Sequence, residues 1–317
     1  MNEASSDERF LITGALGCIG AWSCAQLVRE DVPVVVYDVG TSTERLELVM
    51  STDELERVTI VAGDVTDLDQ LEHTIVEHEI THVIHLAAML LPSVQANPPR
   101  GAAVNVVGTT NVFEAAKRHG VRGIAYASSA AVYGPGAGPR VEDAGDPTSL
   151  YGVFKLANEK TAKVLFDDHG LRSVGLRPYV VYGPGRDHGL TADPTLAMAA
   201  AARGEGYAMR WGGRCQLQYA RDAAHIFIAA ARAENAGAAV FNLGGPSSHV
   251  SEVVTAIEAA APEVAGRVTF EDVQLPFPEE MESGGLEDLI GPIEWTPLAE
   301  GTRQTIELYR ARVPQAT

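Results

Sequence analysis

Tyr151 and Lys155 stand four positions apart near the start of a helical pattern, so both side chains fall on one face. An ammonium beside a phenol favours the phenolate and lowers a pKa that is ordinarily about 10. Such a tyrosine can exchange a proton with a substrate hydroxyl at neutral pH. The pair alone says little, since tyrosine and lysine four apart are common on helix surfaces. Ser128-Ser129 follows the apolar run Gly123–Ala127, at the end of a strand where parallel sheets bind ligands. A hydroxyl there can polarise a carbonyl. Serine, tyrosine and lysine on successive strand–helix units form a constellation much more specific than its parts.

A second stretch suits phosphate. Thr13-Gly14-Ala15-Leu16-Gly17-Cys18-Ile19-Gly20 lies between a buried strand and a helix. Gly14 allows the tight turn, Gly17 lets backbone approach a pyrophosphate, and Gly20 lets helix and strand pack closely. The phosphates then meet the N–H groups of Leu16, Cys18 and Ile19 at a helix N-terminus. Asp38 ends the next strand, where a carboxylate accepts hydrogen bonds from ribose hydroxyls and repels a 2′-phosphate. No Arg or Lys directly follows it, which favours NAD over NADP. Asp64 and Val65 are candidates for the adenine side, although Asp64 could instead cap the following helix.

These residues need a scaffold that delivers strand ends to one edge. Apolar runs at Phe10–Ile12, Val34–Tyr37, Val58–Val61, His82–Leu86, Gly123–Ala127 and Ser173–Leu176 alternate with helical patterns at Cys18–Arg29, Leu68–His78, Ala102–His119 and Leu150–Asp168. Continuous apolar strands are buried on both faces, as in a parallel sheet flanked by helices. The expectation is an α/β Rossmann fold, a doubly wound parallel sheet with a small interwoven C-terminal substrate lobe. The NAD-binding domain is placed at 1–178, with 220–245 returning to it through a strand near Val240–Leu243. The substrate lobe is placed mainly at 179–317. There glycines at 183, 185, 204, 206, 212 and 213 break the chain into shorter pieces, and Leu275–Thr296 is irregular and acidic.

Composition bounds the rest. The chain has 317 residues, 46% hydrophobic and 21% charged, enough for a buried core. Forty-two acidic against 24 basic residues give a formal net charge of -18, which argues against nucleic acid as a partner. Three cysteines, Cys18, Cys24 and Cys215, fit a reducing compartment rather than a disulfide framework. There is no apolar run of about 18 residues, and Met1–Arg9 is polar and acidic, unlike a signal peptide. A cytoplasmic protein without a metal site or membrane span is expected.

The ordered motifs resemble the extended short-chain dehydrogenase/reductases of the NAD-dependent epimerase/dehydratase family, in particular nucleotide-sugar 4-epimerases. They run through Thr13–Gly20, Asp64-Val65, His85-Leu86-Ala87-Ala88, Asn105–Thr109, Ser128–Gly134, Tyr151–Lys155, Leu176-Arg177-Pro178, Tyr182–Gly185, Asn242–Gly245 and Trp295-Thr296-Pro297. The resemblance implies that Ser129 is the catalytic Ser/Thr and Tyr151 the acid/base, with Lys155 binding the nicotinamide ribose. It adds Leu86, Ala87, Ala88, Asn105, Ser128, Pro178, Val180 and Val181 as cofactor neighbours. Asn105 serves equally well as a helix anchor, and His85 reads as a packed strand residue. It also implies a homodimer formed by the Ala102–His119 and Leu150–Asp168 helices pairing into a four-helix bundle.

Departures from the family pattern narrow the chemistry. Ala130-Ala131 stands where dehydratases carry Asp-Glu, so dehydration is discounted. Val180 and Cys215 stand where enzymes of nucleotide sugars carry Asn and a diphosphate-binding Arg; Arg177, Arg186, Arg214 and Arg221 are possible substitutes. Met89, Leu90 and Leu91 make either one apolar wall of the cleft or simple core. Three functions stay open. One is hydride and proton transfer with retained NAD and epimerisation at a sugar carbon. Another is a dehydrogenase of a free sugar, sugar acid or other small hydroxylated molecule that releases NADH. The third is a non-catalytic NAD sensor.

Overall fold

A computed structural model of the chain describes residues 7–134, 136–234 and 237–312. Most of the Met1–Arg9 lead-in lies outside the described residues. Six strands arise where the apolar runs predict them: β1 (Phe10–Thr13), β2 (Val34–Asp38), β3 (Val58–Ala62), β4 (His82–His85), β5 (Gly123–Ala127) and β6 (Ser173–Arg177). Short strands follow: β7 (Val180–Tyr182), β8 (Tyr207–Met209), β9 (Arg214–Tyr219), β10 (Ala238–Asn242), β11 (Ser247–His249) and β12 (Val268–Phe270). The main sheet is parallel and seven-stranded, in the order β10-β6-β5-β4-β1-β2-β3. The return of β10 beside β6 carries chain from beyond residue 178 back into the sheet.

Alternation along each strand feeds two cores. Phe10, Ile12, Val34 and Val36 pack against the Cys18–Arg29 and Ala220–Arg232 helices. Leu11, Val35, Tyr37 and Val83 face the side holding the Leu68–Glu77, Gly108–Arg118 and Leu150–His169 helices. The β3 strand departs from the expected two-sided burial. It is the sheet edge, with one neighbour, and Thr59 and Ile60 are exposed.

Three corrections concern helices. The one expected over Ala102–His119 is composite: Pro98–Ala102, a π-helical turn Ala103–Val107, then Gly108–Arg118. Ten-residue Asp193–Ala202 lies between the glycines at 185 and 204, and 13-residue Ala220–Arg232 and Leu298–Arg310 form beyond the glycine-broken stretch, where no helix is read from sequence. Leu275–Thr296 is irregular apart from a short helix at Leu286–Ile290. A separate apolar cluster including Tyr179, Met198, Met209, Trp211, Cys215 and Met281 forms the core of the C-terminal part. No helix among the described residues is long and apolar enough to cross a membrane.

Candidate active site

Strand order reverses between β1 and β4, and the crevice outside their carboxyl ends is where such sheets hold ligands. A cavity of about 850 Å³ opens there. The loop after β1 forms its floor. Gly14 has φ +70°, and a Cβ on it would stand 2.6 Å from the Ala87 nitrogen. A Cβ on Gly20 would stand 2.5 Å from Ala15 Cα. The Cys18–Arg29 helix begins at Gly17 with no side-chain cap and no acidic residue in its first turn. Its leading N–H groups are therefore free for an anion, which fits the pyrophosphate of a dinucleotide.

Asp38 fits the ribose end and also braces the loop. Its carboxylate accepts from the Leu16 N–H at 3.0 Å and the Gly40 N–H at 2.9 Å. Sequence reasoning missed Arg45, seven residues further on. Its guanidinium donates to the Leu16 carbonyl at 2.9 Å and pairs with Asp187 at 2.7 Å, bridging the cavity's rim. Asp187 comes from a loop far away in sequence, so no local signal marks the pair. Asp64 accepts from the Thr66 N–H at 2.9 Å and pairs with Arg100 at 2.5 Å. The alternative of Asp64 as a helix cap is corrected: Asp67 caps the Leu68–Glu77 helix.

The catalytic candidates converge on the opposite wall. Ser149 caps the Leu150–His169 helix by accepting from the Gly152 N–H, which sets Tyr151 in its first turn. Lys155 lies one turn on, its ammonium 5.6 Å from the centre of the Tyr151 ring and donating to the Ala127 carbonyl at 2.6 Å. Burial pushes the Lys155 ammonium down to about 8, against the pull of Glu159. Burial pushes the Tyr151 phenol up, while the Ser129 hydroxyl and the Arg186 charge oppose it. The lowering expected from Lys155 is not found: in the protein alone Tyr151 is raised, with desolvation outweighing Ser129 and Arg186. Ser129 caps the turn at Ala130–Val132 through the Ala131 N–H at 3.1 Å and lines the cavity.

Other candidates fall into two groups. Leu16, Cys18, Ile19, Val65, Leu86, Ala87, Ala88, Pro178 and Val181 line the cavity, as do Met89, Leu90 and Leu91. Ser128 also lines it, and its hydroxyl donates to buried Glu159. Two expectations are corrected. Val180 is fully buried in the C-terminal core, with Pro178, Tyr179 and Val181 facing the cavity in its place. Asn105 sits behind the wall, where its amide pairs with both polar groups of the Met89 backbone at 2.7 and 2.9 Å. It is an anchor for the loop after β4. His85 bridges Thr13 and Thr109, and burial pushes it down to about 3, so it is a neutral packed residue.

The four candidate phosphate arginines separate clearly. Arg177 is buried against Glu159 at 2.7 Å. Arg214 is exposed beside Glu252, and Arg221 donates to Thr296. Arg186 alone of the four lines the cavity.

Residues 10–244 match the model of the NAD dependent epimerase/dehydratase family. A UDP-glucose 4-epimerase of Mycolicibacterium smegmatis is 30% identical over 315 residues, covering 95% of this chain and 98% of that one. A UDP-glucose 4-epimerase of Thermus thermophilus, solved in complex with NAD, aligns with a TM-score of 0.81 at 25% identity over 96% of this chain and 100% of that one. The Thermotoga maritima UDP-glucose 4-epimerase, solved with UDP-glucose, shares the fold at a TM-score of 0.83 and 21% identity, over 96% of this chain and 99% of that one.

Proposed function

The chain belongs to the NAD dependent epimerase/dehydratase family, and from that membership we propose that it oxidises and reduces a hydroxyl-bearing carbon of a sugar or sugar derivative with NAD, using Tyr151 as acid/base. The observation that carries this reading is the convergence of Tyr151, Lys155 and Ser129 on the cavity whose floor is the glycine loop. The Thermus thermophilus relative was solved in complex with NAD. Here the uncapped helix N-terminus at Gly17 would hold its pyrophosphate and Asp38 its adenosine ribose.

When bound, NAD supplies the acceptor for a hydride from the carbinol carbon. The chain's own residues handle the proton. The Tyr151 oxygen takes the hydroxyl proton as the carbonyl forms and gives it back in the reverse direction. Lys155 favours the ionised phenol, and Ser129 donates to the developing carbonyl oxygen. With NAD bound, the same residues would serve either outcome: Tyr151 would return the proton to the oxygen of an inverted carbon, or the oxidised product would leave in a net dehydrogenation. Accumulation of NADH on turnover separates the two. Tyr151→Phe removes only the ionisable oxygen, so NAD affinity stays within about twofold while turnover falls by roughly a hundredfold or more. Turnover that survives in this variant refutes the assignment.

We also propose a homodimer in the cytoplasm. Val107, Leu150, Val153 and Val164 are exposed on the two helical segments that the family resemblance pairs across a two-fold axis. The sparse cysteines suit a reducing compartment.

A further inference from the structure

The cavity offers one uncommitted cation and no second one. Its lining cations among the described residues are Arg45, Arg100, Lys155 and Arg186. Arg45 is engaged by Asp187 and the Leu16 carbonyl, Arg100 by Asp64, and Lys155 by the Ala127 carbonyl. Arg186 donates only to the Thr191 hydroxyl, at 3.2 Å, and its Nε is buried without an acceptor. A buried guanidinium N–H left unpaired is costly, and an acceptor from a ligand would repay that cost. The guanidinium sits beside Gly189 and close to Leu90, and its charge reaches both the Tyr151 phenol and the Cys18 thiol at the start of the glycine-loop helix. An anion bound to it therefore lies within reach of both the reacting end and the pyrophosphate end of the cavity.

Beyond Thr191 the C-terminal side adds no cation to the cavity lining among the described residues. Cys215 and Val180, at the positions where family enzymes of nucleotide sugars carry a diphosphate-binding Arg and an Asn, are both 0% exposed, in one cluster with Tyr179, Met209 and Trp211. Arg210, the nearby cation, is spent on fully buried Asp193 at 2.6 Å. Beyond Thr191, only Phe277 reaches the cavity among the described residues. A nucleoside diphosphate carries two phosphates and would find no free arginine pair among the described residues of this lining.

We propose that the substrate is a small hydroxy acid, such as a sugar acid, whose single carboxylate pairs with Arg186 while its hydroxyl meets Tyr151. This rests on Tyr151 being the acid/base of the site. A planar guanidinium edge binds a carboxylate bidentately, so one arginine both anchors and orients such a molecule. The apolar side chains of Met89, Leu90 and Phe277 favour compactness over a long polar tail.

The same guanidinium could instead serve the cofactor's pyrophosphate, and the test separates the two anions. Calorimetry on the wild-type protein, Arg186→Met and Arg186→Lys measures NADH first. It then measures, on the NADH complex, D-glycerate, D-gluconate and D-glucuronate against glycerol, D-glucitol and D-glucose, with UDP-glucose alongside. Expected is at least one acid bound about a hundredfold more tightly than its neutral partner, with UDP-glucose weaker than that acid. In Arg186→Met the acid should lose about 30-fold or more, erasing the preference, while NADH affinity changes less than about threefold. Arg186→Lys should keep part of the preference, which shows that the site is still folded. The proposal is overturned if NADH weakens by the same factor while the acid preference persists, if no acid exceeds its neutral partner, or if UDP-glucose binds best. Tyr151→Phe run in parallel keeps the two readings apart. Turnover surviving there refutes the acid/base role while leaving the acid preference, a binding result, to stand or fall on its own.

Discussion

Replacing Lys155 by Met removes a charge that the fold holds at a cost, so the chain is expected to become more stable as it loses activity. Lys155 is 3% exposed, and burial lowers its ammonium from 10.5 to about 8. That difference corresponds to roughly 3 kcal/mol of folding free energy at pH 7, where the buried side chain must be charged. Methionine fills a similar volume and forgoes the charged hydrogen bond to the Ala127 carbonyl, worth about 2 kcal/mol. The net expectation is a gain of about 1 kcal/mol, or a Tm rise of about 2 °C. The sign of the pH dependence follows from the lowered pKa. Below pH 8 both states bind the proton and wild type bears the full cost. Between about 8 and 10.5 the unfolded chain still binds it and the native chain does not, so wild type gains stability as pH rises and the gap to Lys155→Met closes. The assay is urea unfolding of nucleotide-free protein, wild type against variant, from pH 7 to 10.5. A variant less stable than wild type at pH 7, or a gap that stays constant across that range, would refute the reasoning.

Three further outcomes follow from the geometry. Gly14→Ala puts a methyl group 2.6 Å from the Ala87 backbone at φ +70°, and should weaken NAD binding at least about tenfold in calorimetry, with a lowered Tm. Glu159→Leu strands the buried Arg177 guanidinium and should cost about 3–5 kcal/mol in urea unfolding; adding Arg177→Leu should recover part of that loss. Val153→Glu on the exposed face of the Leu150–His169 helix should convert a dimer to a monomer by light scattering at micromolar concentration, with the NAD affinity kept.

The elements and most of the site were legible in sequence because they depend on local regularities. Buried parallel strands are continuous apolar runs, a phosphate turn needs glycines at fixed offsets, and Tyr151 and Lys155 share a face by helical period alone. Where the fold departed from expectation, a neighbour distant in sequence decided. The β3 strand ends the sheet among the described residues, and its side chains at Thr59 and Ile60 are left uncovered there. Helix Ala220–Arg232 packs its apolar face against Cys18–Arg29, and nothing within its own stretch names that partner. Asn105, in the helical turn Ala103–Val107, holds the Met89 backbone, and Val180 packs into the C-terminal core; both outcomes depend on packing against chain distant in sequence. The choice among Arg177, Arg186, Arg214 and Arg221 was likewise open in sequence. All four are guanidiniums on the same half of the chain. Tertiary structure spends Arg177 on Glu159, leaves Arg214 and Arg221 at the surface, and turns Arg186 toward the cavity. Residue type and spacing set what chemistry is available. Which charges are already paired, and which remain for a ligand, is set by contacts across 18 to 142 residues of chain that no local pattern encodes.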